Sequence, residues 1–236
     1  MIHTIINDIK PKLLNLKYIE RYGGVVIPVT EIVDDGENRK QITFPVSCDA
    51  EGKTCYLNNE YYDLAPNDDH RSVAYWEVTN SLTSQPSRHG SRRYNVQYTQ
   101  NARFVAWLNL QNLGYKNPCA LMTRIIANTL YVIEGKIGLI PDTPLANVKI
   151  RFVGQAPKTM DIFRAYSYSN KTELMLYPFD FFALDFQFTW MLRKDCITPE
   201  SIYEEICPPE SALVQLNGGF TAGFSDGFNT INEYKI

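Results

Sequence analysis

The stretch YPFDFFALDFQFTWML, residues 177–192, constrains the fold more than any other part of the chain. From Phe182 onward every second residue is large and apolar: Phe182, Leu184, Phe186, Phe188, Trp190 and Leu192. A period of two places these side chains on one face of a strand. Phe and Trp favour strands and bury large apolar areas. The pattern predicts a long central strand with one face in the core.

The alternate residues of this strand are Ala183, Asp185, Gln187, Thr189 and Met191. This set is too polar for a buried core, so we expect the second face to meet water or a neighbouring subunit. Asp185, Gln187 and Thr189 are therefore candidate subunit-interface residues. The preceding Tyr177-Pro178 marks a turn or a strand start, because proline cannot donate to a strand ladder.

The first part of the chain predicts a helix followed by a hairpin. Apolar residues recur at helical spacing over residues 2–21, where Pro11 predicts a kink or two short helices and Gly23-Gly24 ends the pattern. Residues 25–33 and 41–48 are strand-like and flank an Asp-Gly pair, which is a hairpin signal.

The remaining pattern predicts more strands and a second helix. The helix begins at Asn117-Pro118, has apolar residues at helical spacing, ends at Gly135 and should pack across the sheet. Strands are predicted at residues 54–57, 72–79, 94–98, 102–111, 148–153 and 164–169. We expect an α+β domain over residues 1–207, with a mixed, mostly antiparallel sheet flanked by two main helices, and an extended C-terminal arm over residues 208–236.

A polar, basic insert occupies residues 80–93, NSLTSQPSRHGSRR, and carries Arg88, His89, Arg92 and Arg93. We interpret it as a mobile loop or the tip of a long hairpin. The basic side chains would contact phosphates if many copies lined a channel, because a ring multiplies a small local charge. The alternative is a solvated loop, or one that docks on an acidic neighbour.

The C-terminal arm contains three Gly-Phe pairs at a four-residue interval, and the Phe residues of these pairs are Phe220, Phe224 and Phe228. A segment of this composition cannot build a core of its own. We expect its Phe side chains to dock into pockets on this subunit or the next, which makes them candidate subunit-interface residues.

Composition narrows the classes of function for these 236 residues. A net charge of −3 and a pI near 5.7 do not favour general attraction to nucleic acid. No signal-peptide pattern opens the chain, and no apolar run reaches the ~18 residues of a membrane span. Five irregularly spaced cysteines indicate a reducing compartment rather than a disulfide framework.

Signals for catalysis or metal binding are weak. Cys48, Asp49, Cys55 and His70 are near one another in sequence, but their spacing is not that of a zinc site, so we favour a strand-end thiol and a turn. Acidic pairs lie mainly in turn contexts, and nucleotide-binding and hydrolase motifs are absent from the sequence. We therefore predict no catalytic residue, no cofactor and no metal.

Two other classes of function stay open. One is a hydrolase with a site built from Asp49, His70 and Cys55. The other is a small-ligand-binding module, for a carbohydrate or a peptide, that uses surface tyrosines. Those tyrosines are Tyr61, Tyr62, Tyr94 and Tyr98.

The order of elements over residues 1–197 resembles the tail-terminator and head–tail joining proteins of tailed bacteriophages. Three places carry the resemblance: the first helix entering Gly23-Gly24 and a Val-rich strand, the strand–helix passage 102–135 with Trp107-Leu108-Asn109-Leu110, and YPFDFF at residues 177–182 feeding the long strand. In particular, the chain resembles neck-ring proteins of crAss-like phages of gut Bacteroidota.

The resemblance implies a structural protein of the virion, assembled in the host cytoplasm, with no catalytic residues. Its copies would form a homo-oligomeric ring around the DNA channel, between portal or head and tail. The implied partners are other copies of the chain and adjacent portal, neck or tail proteins, with non-specific contact to packaged DNA and no membrane.

Overall fold

The computed structural model describes residues 1–34, 39–47, 62–66, 68–86, 96–113, 118–140, 143–167 and 172–193. Its elements are α1 (Ile2–Leu14), β1 (Arg21–Asp34), β2 (Arg39–Ser47), β3 (Tyr62–Asp63), β4 (Ser72–Val78), β5 (Thr83–Pro86), β6 (Val96–Asn109), α2 (Pro118–Ile133), β7 (Gly135–Leu139), β8 (Leu145–Gln155) and β9 (Phe179–Leu192). The predicted strand at 54–57, the tip of the insert and the C-terminal arm lie outside these ranges.

The described strands form one sheet with the order β3-β2-β1-β4-β6-β9-β8-β7, and β5 also pairs with β6. Only the β1–β4 pair is parallel in this part of the chain, and the other pairs are antiparallel. The prediction of a mixed, mostly antiparallel sheet with two main helices is confirmed. The long aromatic strand, β9, lies between β6 and β8, and the predicted alternation buries Phe182, Leu184 and Phe186.

Both helices pack on one face of the sheet, which we call the helix face. In α1 the apolar residues at positions 5, 6, 9 and 13 are buried, and in α2 Leu121, Ile125 and Ile133 are buried. Trp76 lies at the centre, with its ring 5.1 Å from Phe104, 5.5 Å from Phe186 and 5.4 Å from Phe188 between centroids. Aromatic pairs at such separations stabilise a core beyond simple area burial.

A second core covers part of the opposite face of the sheet. Phe163 packs edge-on against Phe181, with centroids 5.2 Å apart, and the indole of Trp107 donates a 2.7 Å hydrogen bond to the carbonyl of Leu174. Ala183 is buried there as well. The expectation that the second face of the long strand meets water or a neighbour is therefore wrong for its first part. The segment between β8 and β9 supplies the apolar cover.

That connecting segment also contradicts the strand predicted at 164–169 over its described part, residues 164–167. A short 3-10 helix occupies Met160–Phe163, and the chain then turns so that Ile162, Phe163 and Tyr166 are all buried in the second core. These three side chains all point toward the sheet, and their positions in the sequence do not alternate as they would in a strand. Strand β7, in contrast, was missed because its two glycines weaken the pattern.

Two predictions around the first helix differ from the structure. Pro11 does not divide the region into two short helices, because α1 runs through it as a single element with Ile9 and Leu13 buried on either side. Gly23-Gly24 lies inside β1 rather than at a helix end. Gly24 has φ 64° where the β1–β4 register shifts, a conformation that glycine adopts without strain.

The basic insert belongs to a long hairpin. After β4 the chain forms β5, and both strands pair antiparallel with β6, β4 through residues 102–108 and β5 through residues 96–99. The return strand is one continuous element that ends at Asn109, which confirms the strands predicted at 94–98 and 102–111 over residues 96–98 and 102–109. The described part of the insert ends at Pro86.

Candidate functional site: a polar face on the central strands

Beyond the second core, the face of the sheet opposite the helices is polar. Its side chains come from four neighbouring strands, β4, β6, β9 and β8. We call this set the polar face: Glu77, Thr99, Asn101, Arg103, Lys149, Arg151, Asp185, Gln187 and Thr189.

Strand register brings these side chains into rows across the sheet. Asp185 lies opposite Arg103, which in turn lies opposite Glu77. In the next row Gln187 lies between Asn101 and Arg151, and Thr189 lies between Thr99 and Lys149 in the row after it. Directly opposed residues in a sheet have Cβ atoms about 5 Å apart, so each row is a contiguous strip of polar groups.

The strongest contact on the polar face is a two-point ion pair. The Nε of Arg103 donates to Asp185 Oδ1 at 2.7 Å, and Nη2 donates to Oδ2 at 3.1 Å. The two side chains are 28% and 33% exposed. The hydrogen bonding that Arg103 donates to Asp185 is the main cause that raises the pKa of Arg103. The paired geometry fixes both side chains in one orientation, which gives the face a defined charge pattern.

Glu77 lies at the edge of this ion pair and beside the second core. The hydroxyl of Tyr166 donates a 2.7 Å hydrogen bond to Glu77 Oε1. Burial raises the pKa of Glu77, although the Tyr166 hydrogen bond and the charge of Arg103 lower it, and the charge of Asp185 adds to the increase. Through this hydrogen bond, Glu77 connects the polar face to the segment between β8 and β9.

Three side chains of the polar face lack an ion-pair or hydrogen-bond partner among the described residues. Lys149 and Arg151 are exposed on β8 and have no ion-pair partner within the described ranges. The side-chain oxygen of Asn101 is enclosed and accepts no hydrogen bond from any described residue. An enclosed acceptor without a donor is unusual in a folded protein and calls for a partner group. Within the described ranges, the face therefore presents two cations without an ion-pair partner and one acceptor without a donor, beside a fixed ion pair.

The structure brings together only part of the predicted site. Asp185, Gln187 and Thr189 are half-buried neighbours on one face, as their spacing indicated. Phe220, Phe224 and Phe228 lie outside the described residues. So do the four basic side chains of the insert, Arg88, His89, Arg92 and Arg93.

The alternative sites can be placed only in part. Cys48, Asp49 and Cys55 lie outside the described ranges, whereas His70 contacts Arg21. Of the tyrosines, Tyr98 stacks on Trp190 on the helix face, 6.2 Å between centroids, so it is half-buried rather than a surface residue. Within the described parts of the chain, no cluster of three or more metal-ligating side chains is found.

Sequence reasoning missed Arg103, Glu77 and Tyr166. Arg103 interrupts the apolar run around it in β6, and Glu77 follows the buried aromatic pair Tyr75-Trp76 in β4. A charged residue inside an apolar strand is a usable signal, because burial of an unpaired charge is costly and implies a partner. The identity of that partner depends on strand register, which local patterns do not contain.

Comparisons of the chain with protein-family models, curated proteins and solved structures find no match. Among the helices in the described residues, none is long and apolar enough to cross a membrane.

Proposed function

We propose that the chain is a virion structural protein: a ring-forming subunit of a phage neck or tail that joins portal or head to tail around the DNA channel. The observation that supports this most is the polar face on β6 and β9. These two strands are in the interior of the sheet, and their opposite side belongs to the helix face, which carries the main core. A half-buried polar surface at that position suits contact with another protein.

The chemistry of the polar face fits a subunit contact better than a small-molecule site. It is spread over four neighbouring strands, and it offers amide, hydroxyl and charged groups in rows rather than converging on a point. Interfaces between subunits use such directional groups to fix register and orientation. The contact would be heterologous, with unlike patches meeting, because only this geometry closes into rings of many copies.

The C-terminal arm has a separate role in this proposal. Phe220, Phe224 and Phe228 would anchor it on a neighbouring subunit, and ring closure would raise the effective concentration of each arm for its neighbour. The insert at 80–93 would extend toward the channel lumen or the next ring, where its basic side chains contact DNA or an acidic surface.

The test is the mass of the purified protein in solution, measured by mass photometry for the full chain and for a chain without residues 208–236. We expect a large discrete oligomer that shifts to smaller species on truncation, with an unchanged far-UV circular dichroism spectrum from the domain. A full-length chain that stays monomeric at all concentrations, alone and with phage neck components, would contradict the proposal.

A further inference from the structure

A groove opens on the helix face between the ends of α1 and α2 and the start of β7. It encloses about 440 Å³ and is lined on its apolar side by Ile9, Ile133 and Ile137, with Tyr131 at the rim. Tyr131 is 88% exposed. The volume is in the range of roughly 300–1,000 Å³ found for ligand-binding pockets. Its apolar walls suit an aromatic side chain, and Lys12, Asn15 and Glu134 line the groove beside them.

The groove lies beside an open edge of the sheet. Strand β7 pairs only with β8 among the described strands, so no strand in the described ranges pairs with its outer row of backbone groups. Proteins often protect such edges with proline, bulges or charges. Strand β7, GKIGL, contains no proline and one charged residue, Lys136. Its outer edge can therefore accept an added strand.

The last described residue lies near this edge. The backbone N–H of Arg193 donates to the carbonyl of Pro144 at 2.8 Å, and the end of β9 pairs with the start of β8, which pairs with the end of β7. Two strand spacings, roughly 10 Å, separate the end of β9 from β7. Strands β7 and β9 end at the same end of the sheet, and residues 194–236 follow β9 in the chain. A segment of these residues that returned along β7 would therefore run antiparallel to it.

The spacing of the Phe residues in the arm fits such an added strand. Phe220, Phe224 and Phe228 are separated by even intervals of four residues. In an extended segment all three side chains would point to the same side. If that side faces α1 and α2, the rings meet the groove while the backbone pairs with the edge of β7, a mode of peptide recognition known as strand addition.

The length of the arm allows it to reach a groove on another copy. Reaching the groove of the same copy requires only a few residues, whereas the chain from Arg193 to Phe220 can extend roughly 90 Å. A domain of this size is roughly 40 Å across, so the arm can cross to a neighbouring subunit.

We infer that residues 219–228 of one copy add as an antiparallel strand to the β7 edge of a neighbouring copy and insert Phe side chains into its groove. This inference rests on the proposed ring, and it names the surface that receives the arm.

The test uses the full-length protein with p-benzoylphenylalanine in place of Phe224, prepared in unlabelled and in ¹⁵N,¹³C-labelled form. The two forms are mixed under conditions that allow assembly, irradiated and digested, and the cross-linked peptides are identified by mass spectrometry. We expect cross-links from position 224 to residues 9–15 or 131–137, including links between unlabelled and labelled copies. Links at the groove within single copies only, links elsewhere, or no links would each overturn the inference.

A second variant, Ile137→Arg, places a charge in the groove and should abolish these cross-links. Its matched control is Ile32→Arg, at a 65% exposed position on β1, which should leave them unchanged. Thermal unfolding of both variants shows whether the domain is intact.

Mass photometry of the same samples separates the two proposals. A discrete ring whose cross-links lie outside the groove refutes this inference alone. A chain that stays monomeric at all concentrations, alone and with phage neck components, and forms no links between copies refutes the proposed function as well.

Discussion

Arg103 and Asp185 face each other across the β6–β9 pair and share two hydrogen bonds, although 82 residues separate them in sequence. The pair lies at the boundary between the second core and the polar face, where the sheet changes from apolar cover to half-exposed polar rows. It therefore fixes the register of the two central strands at the point where the candidate interface begins.

Replacing Asp185 with Ala should lower the free energy of unfolding by ~1 kcal/mol, because Arg103 would lose its partner while still partly buried. Urea denaturation measures this change. The matched control is Gln187→Ala in the next row of the same strand, for which we expect a loss of less than ~0.5 kcal/mol. Equal losses in the two variants would show that the ion pair adds nothing to stability.

Glu77 should make stability depend on pH in a specific direction. Its pKa in the folded protein is raised above the ordinary value of 4.5, so the folded state binds more protons than the unfolded state in the window just above 4.5. The free energy of unfolding should therefore fall as the pH rises through that window. Glu77→Gln removes this titration, so its stability relative to the unchanged chain should increase from acid to neutral pH.

Urea denaturation at a series of pH values checks the role of Glu77. The charge control is Glu173→Gln, which removes an exposed carboxylate near the second core. Parallel pH profiles for Glu77→Gln and the unchanged chain would contradict the expectation.

The second core should contribute strongly to stability despite its irregular chain path. Phe163 is fully buried against Phe181. Phe163→Ala should reduce the free energy of unfolding by ~3–5 kcal/mol, through lost burial and the cavity that remains. Tyr177→Ala is the control, because it truncates an aromatic side chain that is 80% exposed. A loss below ~1 kcal/mol for Phe163→Ala would mean that the covering segment packs loosely.

Gly23 is required by close packing. A Cβ atom at this position would overlap the side chain of Leu64, which is itself fully buried in the second core. Gly23→Ala should therefore destabilise the protein by ~1–3 kcal/mol. In Gly23→Ala/Leu64→Ala the loss should be smaller than the sum of the single losses, because the overlap is relieved. Gly138→Ala, where the added methyl group meets open space, should be neutral within about 0.5 kcal/mol.

The proposed role of the polar face can be tested by a single charge. Gln187→Arg places a long cation among the half-buried rows, so we expect smaller oligomers with little change in thermal stability. Gln111→Arg makes the same substitution at an exposed turn and should leave assembly unchanged. Mass photometry compares the two variants, and identical mass distributions would exclude the polar face from the contact.

Local patterns predict the central part of this fold well. The alternation in β9 continues over several residue pairs, and the apolar spacing in α2 continues over several helical turns. Both patterns are long enough to distinguish a strand period of two from a helix period of 3.6. Pro11 misleads because its effect on an isolated helix is local, whereas the burial of Ile9 and Leu13 depends on tertiary packing.

The second core and half of the site could not be predicted in the same way. Phe163, Tyr166 and Leu174 lie in or beside short 3-10 helices, where the apolar residues do not recur with the period of an α-helix or a strand. The alternation in β9 identifies Asp185, Gln187 and Thr189 as a polar row, but their neighbours depend on the register of β6 and β8. Arg103 and Glu77 become part of the site only when that register is known.

The position of β9 also has a consequence for how the chain folds. This strand is in the middle of the sheet but is the last of the described strands to be synthesised. Until residues 179–192 emerge, β6 and β8 each lack β9, their shared neighbour, so one edge of each strand is without that partner. Contacts so distant in sequence are slow to form, and unpaired apolar edges are prone to aggregate. A nascent chain halted before Phe179 should therefore bind chaperones, whereas one released after Arg193 can close its sheet.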